Sequence, residues 1–261
     1  MVAKIDRTGE VNHNNFGSEM IIVGYKNKKD INIYFPKYDC IVKHKYYSAF
    51  KKGEIKCPYE RRTYGIGYIG EGEYKIHDEN GKLTKCYNTW HDMLRRCYSE
   101  KEHKKYSTYI DCKASEEFYN FQNFGEWDSE NYYEIEGEKM HLDKDILIKG
   151  NKIYSPETCV YVPQTINNLF VKCDRSRGKY PIGVFYSNRD KKFYSKCRIY
   201  NFSKCISEKV YLGLYNTSEK AFEVYKEFKE RNIKQVADYY KGRIPDKLYD
   251  ALYNYEVEID D

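Results

Sequence analysis

The stretch HLDKDILIKGNKIYSPETCVYVPQTINNLFVK, residues 141–172, carries the most information about the fold. It begins with a short predicted strand, His141–Leu147, which a polar loop follows. A second strand, Cys159–Val162, leads into Pro163, a residue that favours the first turn of a helix. We therefore predict a hairpin of two strands followed by a helix over residues 164–172.

This arrangement offers ligands for a divalent cation. Asp143 lies on the first predicted strand and Asn167 on the helix, and both present the hard oxygen atoms that Mg²⁺ prefers. A metal-dependent nuclease also needs a base that takes a proton from the attacking water. The same spacing is typical of a turn carboxylate and a helix-capping amide, so both interpretations stay open at this point.

Towards the N-terminus, short runs of alternating apolar and polar residues predict strands. Three such runs are Met20–Tyr25, Asp30–Phe35 and Cys40–Lys43. Short strands at close spacing are typical of a small barrel. We predict an SH3-like β-barrel that serves as an accessory module in residues 1–62.

Two amphipathic helices precede the hairpin. Thr84 can cap a helix that runs to Tyr98, and phenylalanines at helical spacing predict a second helix over Ser115–Trp127. We therefore predict a central ββα domain with flanking helices in residues 63–172.

Beyond the hairpin, three strands and a helix are predicted. The strands are Ile182–Tyr186, Phe193–Tyr200 and Lys209–Leu214, and Thr217 begins the helix. These elements form a third domain, residues 173–261, and the fold class of the whole chain is α+β.

Alternation along the middle strand separates its two faces. Tyr194, Lys196 and Arg198 share one face, while Phe193 and Cys197 point towards the helix. One face of this three-stranded sheet is thus predicted to be open to solvent.

Charge is strongly segregated along the chain. The whole sequence holds 45 basic and 40 acidic residues, a net charge of +5. Residues 171–210 hold eleven Lys or Arg and three acids, a net charge of +8, whereas residues 114–145 hold ten acids and two Lys, a net charge of −8. A basic block of this kind indicates a nucleic-acid surface, although charged faces also serve solubility alone.

Composition excludes several classes of protein. With 17% aromatic residues the chain is neither collagen-like nor an acidic disordered tail. It contains no apolar run of about 20 residues and begins without the apolar segment of a signal peptide, so we expect a cytoplasmic location in a bacterial host cell and no membrane partner.

Nine cysteines without a CxxC pair indicate reduced, buried thiols. A structural Zn²⁺ site is the weaker alternative. Its candidate ligands are Cys97, Cys112, Cys159, His91, His103 and His141.

A series of motifs runs through residues 84–170. In order, they are Trp90-x-x-Met93-x-x-Arg96-Cys97-Tyr98, Asp111-Cys112, Phe121-x-x-Phe124-x-x-Trp127, Leu142-Asp143-Lys144-Asp145, Gly150-Asn151, Tyr154-Ser155-Pro156-Glu157-Thr158-Cys159 and Gln164-x-x-Asn167-Asn168. Together they resemble the HNH (His-Me finger) endonuclease-like proteins of phages and mobile elements. The resemblance implies a ββα domain in which Asp143 and Asn167 hold Mg²⁺ or another divalent metal.

The chain departs from that family at the general base. Nuclease members place a His directly after the metal-binding Asp, and this chain has Lys144 there. A lysine with an ordinary pKa of about 10.4 is protonated at neutral pH and cannot take a proton from water. Lys144 and Arg96 are instead candidates for contacting phosphate, and His141, on the same side of the strand as Asp143, is a candidate replacement base.

The C-terminal region carries a second resemblance. Its motifs are Tyr180-Pro181-Ile182-Gly183-Val184, Lys192-Phe193-Tyr194-Ser195-Lys196-Cys197-Arg198, Tyr211-Leu212-Gly213-Leu214-Tyr215 and Thr217-x-Glu219-x-Ala221-x-x-x-Tyr225. They are similar to the AP2-type DNA-binding domain, which lays a three-stranded sheet in the major groove. The predicted DNA-binding residues are Phe185, Arg189, Lys192, Tyr194, Lys196, Arg198, Lys209 and Tyr211.

From these resemblances we expect a phage-type protein that binds double-stranded DNA and carries an HNH-like, metal-dependent nuclease domain, either active or degenerate. The alternative is a catalytically inactive phage protein that inhibits a host defence complex, by protein binding or by DNA mimicry through its acidic block.

Overall fold

The structure, a computed structural model, describes residues 5–170, 179–202 and 206–259. The chain divides into two compact units, Met1–Trp127 and Asp128–Asp261. Helices and several small sheets alternate along the chain, which confirms the α+β fold class. The three-domain division with boundaries after residues 62 and 172 stays a prediction.

The first unit contains a sheet, three helices and most of a fourth. Its elements are β1 (Val11–His13), β2 (Glu19–Asn27), β3 (Asp30–Phe35), β4 (Cys40–Lys45), α1 (Tyr47–Lys51), α2 (Lys85–Tyr98), α3 (Glu100–Lys105), β5 (Lys113–Ala114) and α4 (Phe121–Asn131), with short 3₁₀ turns at Pro36–Tyr38, Ser107–Tyr109 and Glu117–Tyr119.

The N-terminal strands form an open antiparallel sheet in the order β1-β2-β3-β4. Successive side chains of a strand point to opposite faces, and one face of this sheet forms an apolar core. Its fully buried residues are Met20 and Ile22 on β2 and Ile31, Ile33 and Phe35 on β3. Within residues 5–127, β1 and β4 are the two edges of this sheet and do not pair, so the described strands do not close into the predicted barrel.

Of the two helices predicted in this unit, the first begins where the sequence predicts and the second does not. The Thr84 hydroxyl accepts the Tyr87 N–H at 3.2 Å and caps α2, which ends at Tyr98 as predicted. The second helix, α4, begins at Phe121 and not at Ser115. The side chain of Asn120 is the reason, since its Oδ1 accepts the Gln122 N–H at 3.0 Å and caps the helix there.

The second unit holds the hairpin and the C-terminal sheet. Its elements are β6 (Met140–Asp143), β7 (Ile153–Tyr154), β8 (Val160–Pro163), α5 (Gln164–Asn167), β9 (Val184–Ser187), β10 (Lys192–Asn201), β11 (Ile206–Tyr215), α6 (Ser218–Tyr240) and α7 (Asp246–Tyr253).

The predicted hairpin and helix are present but shorter than expected. β6 pairs antiparallel with β8, with Asp143 opposite Val160 and Met140 opposite Pro163. β6 ends at Asp143 because the Oδ1 atom of this residue accepts the N–H groups of Asp145 and Ile146, a turn that stops the strand. α5 ends at Asn167, and residues 171 and 172 of the predicted helix lie outside the described residues.

The three C-terminal strands form one antiparallel sheet in the order β11-β10-β9, as predicted, and α6 packs against it. Gly183, which precedes β9, has a φ of +74°, and a Cβ there would lie 2.1 Å from the Tyr225 ring of α6. A side chain at this position would therefore push the helix from the sheet.

One apolar core runs through the second unit. Val160, Val162 and Ile166 from the hairpin and α5 belong to the same buried cluster as Ile233 and Val236 from α6. The ββα hairpin and the C-terminal sheet with its helix are therefore built around a shared core, although the sequence motifs divide them between two domains.

Candidate functional site

The open face of the C-terminal sheet follows from alternation along β10. Ser195 and Cys197 are buried on the side of α6, whereas Lys196 and Arg198 are exposed on the opposite side, as the pattern predicts. Phe193, predicted to face the helix, packs against the rings of Tyr180 and Tyr186, with centroids at 5.2 and 5.1 Å.

Two cations lie directly opposite each other on this face. Arg198 of β10 is the cross-strand partner of Lys209 of β11, and both side chains are exposed. Like charges directly opposite each other destabilise a sheet. An anion bound between them would remove that repulsion, so this pair is a candidate phosphate contact.

The cations of the face differ in how they are neutralised. Among the described residues, no carboxylate lies within salt-bridge distance of Lys192, Arg198 or Lys209, and this separates them from Arg189, whose Nε lies 3.1 Å from Asp190 Oδ1. The basic residues Lys172, Arg175, Arg177 and Lys204, which add to the predicted charge of this region, lie outside the described residues.

Aromatic rings cross the centre of the same face. The Phe185 and Tyr194 rings stack with centroids 5.4 Å apart, and the Tyr194 and Tyr211 centroids are 6.1 Å apart. Phe185 and Tyr211 are 43% and 56% exposed, and Tyr194 between them is half-buried. All eight predicted DNA-binding residues therefore belong to this sheet or its first turn, and seven of them are exposed.

Leu214 is a further member of the face that the sequence pattern missed. Strict alternation from Tyr211 would place Gly213 outward, but the register shifts at Ser195/Lys196, and Gly213 has a φ of +123°. This β-bulge leaves Leu212 packed against the core and turns Leu214, which pairs with Tyr194, outward. The glycine inside a strand is the signal that indicates such a bulge.

Asp143 lies at the end of β6 in a half-buried position. Burial, and next the nearby Asp145 carboxylate, raise the pKa of its carboxyl to about 6, while the N–H groups of Ile146 and Asp145 and the Lys144 ammonium oppose the shift. Asn167 is the last residue of α5, which contacts β6. A divalent cation beside Asp143 would lower the pKa again, because an opposite charge favours the carboxylate.

Lys144 is turned into the protein. The side chain is only 7% exposed, its Nζ lies 3.2 Å from Asp145 Oδ2 and 5.6 Å from the centroid of the Tyr154 ring. Its backbone carbonyl accepts the Asn151 side-chain N–H at 2.6 Å. These contacts favour a role in holding the loop between β6 and β7, and a phosphate contact would require the side chain to leave them.

The other two predicted catalytic residues, His141 and Arg96, belong to different units of the chain. His141 is on the same side of β6 as Asp143, and its Nε2 lies 2.6 Å from Gln164 Oε1, at the start of α5. Arg96 belongs to α2 of the first unit, where its guanidinium lies 5.7 Å from the centroid of the Tyr109 ring. His141, Asp143, Lys144 and Asn167 thus share the hairpin and α5, and Arg96 does not.

The donor set of the hairpin fits Mg²⁺ better than Zn²⁺. Mg²⁺ keeps several waters and is bound through one or two carboxylates, so one carboxylate and one amide are compatible with it. In the described residues no group of three or more His, Cys, Asp or Glu is placed to hold a metal ion. The proposed zinc ligands Cys97, Cys112 and Cys159 are buried, and burial raises the pKa of the Cys159 thiol to about 12.

Asn151 is a positioning residue whose role the sequence alone did not define. Its side chain donates to the carbonyls of Lys144 and Ile153, at 2.6 and 2.7 Å, and closes the loop of the hairpin. The Gly150-Asn151 pair of the quoted motif is the signal for it.

Comparison of this chain with protein-family models, with curated proteins and with solved structures finds no match. Within the residues that the structure describes, no helix combines the length and the apolar character needed to cross a membrane.

Proposed function

We propose that this chain binds double-stranded DNA through the open face of its C-terminal sheet. The observation that carries the proposal is the cross-strand pair Arg198–Lys209, two exposed cations opposite each other that no described carboxylate neutralises. A two- or three-stranded ribbon fits the major groove, where Arg and Lys bond phosphates or guanine edges. The proposal includes an AP2-like fold for this region.

We also propose that the hairpin is an HNH-like ββα element of a phage or mobile-element protein, and that its nuclease activity is degenerate. Asp143 and Asn167 would hold Mg²⁺, which, when bound, supplies charge stabilisation to the phosphate that is attacked. Lys144, tied to Asp145, supplies no base. His141 donates its Nε2–H to Gln164 Oε1, so Nδ1 is the nitrogen at which the neutral ring would accept a proton. The N-terminal sheet remains proposed as an accessory module.

Removal of two exposed cations from the middle strand of the face tests the DNA-binding proposal. We expect Lys196→Ala/Arg198→Ala to weaken binding of a mixed-sequence 30-base-pair duplex by at least about tenfold at 0.1 M salt, because two phosphate contacts are lost. The slope of log K against log salt should fall by about 2 for the same reason. Fluorescence anisotropy over a salt series measures both quantities.

The matched control removes the same charge elsewhere. Arg231→Ala/Lys247→Ala takes two exposed cations from α6 and α7 and should leave affinity and salt slope unchanged. If both double variants weaken binding equally, the attraction is diffuse and the sheet face is not the interface. If the native chain does not bind DNA but co-purifies with a host protein after nuclease treatment, the host-inhibitor function replaces this proposal.

A further inference from the structure

The open sheet face has an apolar centre, which consists of Phe185, Tyr194, Tyr211 and Leu214. Tyr194 stands in the middle, with Phe185 opposite it on β9 and Leu214 opposite it on β11. Phe185, Tyr211 and Leu214 are all exposed. Exposed apolar side chains that cluster in this way mark a surface that contacts a partner.

Cations lie on both sides of the apolar centre along β10. Lys192 precedes Tyr194, and Lys196 and Arg198 follow it. A strand rises about 3.3 Å per residue, so Lys192 and Arg198 are about 20 Å apart along the strand. The major groove is about 12 Å wide, and flexible side chains of this spacing can reach the phosphates on both of its sides. The apolar centre would then face the base edges.

The rings of the apolar centre are not a free stacking platform for unpaired bases. The Tyr194 ring is stacked on Phe185, and the Lys196 ammonium lies 4.9 Å from the Tyr194 centroid. Single-strand binders stack successive bases on open aromatic faces. Here the central ring is covered by its neighbours, and this favours contact with a duplex over stacking with a single strand.

We infer, on the basis of the duplex binding proposed above, that the apolar centre contacts the 5-methyl groups of thymine and biases the protein towards thymine-containing sites. The thymine methyl is the apolar group that base pairs present in the major groove, and Phe is among the side chains that contact it. Phe185 and Tyr211, the most exposed rings of the centre, are the specificity-determining residues.

Replacement of thymine by uracil tests this inference without knowledge of the binding sequence. Two pools of random 30-base-pair duplexes are made by primer extension, one with thymine and one with uracil, and differ only in the 5-methyl group. Burial of one methyl contributes about 0.8 kcal/mol, so we expect about fourfold tighter binding of the thymine pool for each methyl contacted. A third pool, in which 5-methylcytosine replaces cytosine and uracil replaces thymine, should recover part of the lost affinity.

Variants separate direct contact from any effect of the methyl groups on DNA shape. Phe185→Ser and Tyr211→Ser should each reduce the ratio of thymine-pool to uracil-pool affinity towards one. Tyr253→Ser, an exposed tyrosine on α7, should leave that ratio unchanged. Circular dichroism melting of each variant checks that the fold is retained.

The outcomes distinguish this inference from the proposed function. Equal affinity for the thymine and uracil pools, with tight binding of both, overturns thymine recognition and leaves duplex binding intact. An unchanged affinity ratio in both serine variants also overturns it. Failure to bind any duplex overturns the proposed function itself, and tighter binding of a random single-stranded 30-mer overturns both.

Discussion

The sheet face and the hairpin of the second unit both carry charged residues, but they treat them in opposite ways. On the face, Arg198 and Lys209 are exposed and opposed across two strands. In the hairpin, Lys144 is buried against Asp145, and Asp143 accepts two backbone N–H groups. Charges held in solvent without a partner are available for a ligand, whereas charges that already contact groups of the protein are less available.

The two proposed activities, DNA binding and DNA cleavage, therefore rest on unequal structural grounds. The proposed DNA binding rests on exposed cations of the face that no described carboxylate neutralises. The hairpin keeps a candidate metal ligand, Asp143, but the residue after it is engaged in the structure of the loop. Three predictions test how far this contrast extends.

The largest expected effect concerns the base. We expect Lys144→His to increase Mg²⁺-dependent nicking of supercoiled plasmid by about 10²-fold or more, since general-base catalysis typically contributes 10²–10⁴-fold. An agarose-gel time course with Mg²⁺, Mn²⁺ and EDTA arms measures the rate. Asp143→Ala in the same background should abolish the activity.

Lys139→His is the matched control, because Lys139 is exposed and precedes β6. It should nick no faster than the native chain. If Lys144→His is equally inactive while it retains its fold, the hairpin lacks more than the base, and the contrast between the two regions becomes sharper.

The second prediction concerns the stability of the hairpin. We expect Asp143→Asn to raise the free energy of unfolding at pH 8 in EDTA, because the amide keeps the accepting oxygen and removes a carboxylate that burial disfavours. A pKa shift of about two units corresponds to about 2.7 kcal/mol when the group is fully buried. Asp143 is half-buried and solvent screens its charge, so we expect an increase of about 1 kcal/mol.

Urea unfolding at several pH values measures this effect. A carboxyl whose folded pKa lies above its unfolded pKa loses stability as the pH rises through the folded value, here about 6. The difference in unfolding free energy between the native protein and the variant should therefore decrease as the pH falls from 6 towards 4. A difference that does not change with pH would show that ionisation of Asp143 is not its cause, and a less stable variant at pH 8 would show that ionised Asp143 stabilises the hairpin.

The smallest expected effect tests the independence of the two regions. Asp143→Ala/Asn167→Ala should change the duplex dissociation constant in EDTA by less than about twofold, because neither residue belongs to the sheet face and removal of one carboxylate is screened by salt. Anisotropy titrations at 0.15 M salt measure it. A much larger loss of duplex affinity would mean that the hairpin is part of the DNA interface and that the two regions are not independent.

Local patterns predicted several elements of both units. The alternation of Tyr194, Lys196 and Arg198 placed the open face of the sheet, because side chains on a strand point to opposite faces in turn. Thr84 marked the start of α2 through its capping hydroxyl. The ends of other elements were less accurate, since Asn120 and the Asp143 turn stop or start elements through side-chain hydrogen bonds that periodicity does not encode.

The candidate site was predicted only in part, because side-chain contacts from other segments also shape it. The residue types and the faces of His141, Asp143 and Lys144 follow from the strand, but the burial of Lys144 depends on Asp145 and Tyr154, which approach it from the loop and from β7. Leu214 was missed because the bulge at Gly213 reverses the alternation within β11.

The amino-acid sequence alone was sufficient to predict the α+β class, the order of the main elements and the sign of the charge on the C-terminal sheet, because these depend on local periodicity and composition. Three features emerge only in the folded chain: Arg198 lies opposite Lys209, Lys144 is withdrawn from solvent, and the hairpin and α6 share a core. Such facts depend on strand register and on packing between segments far apart in the chain, and no local pattern of residues contains them.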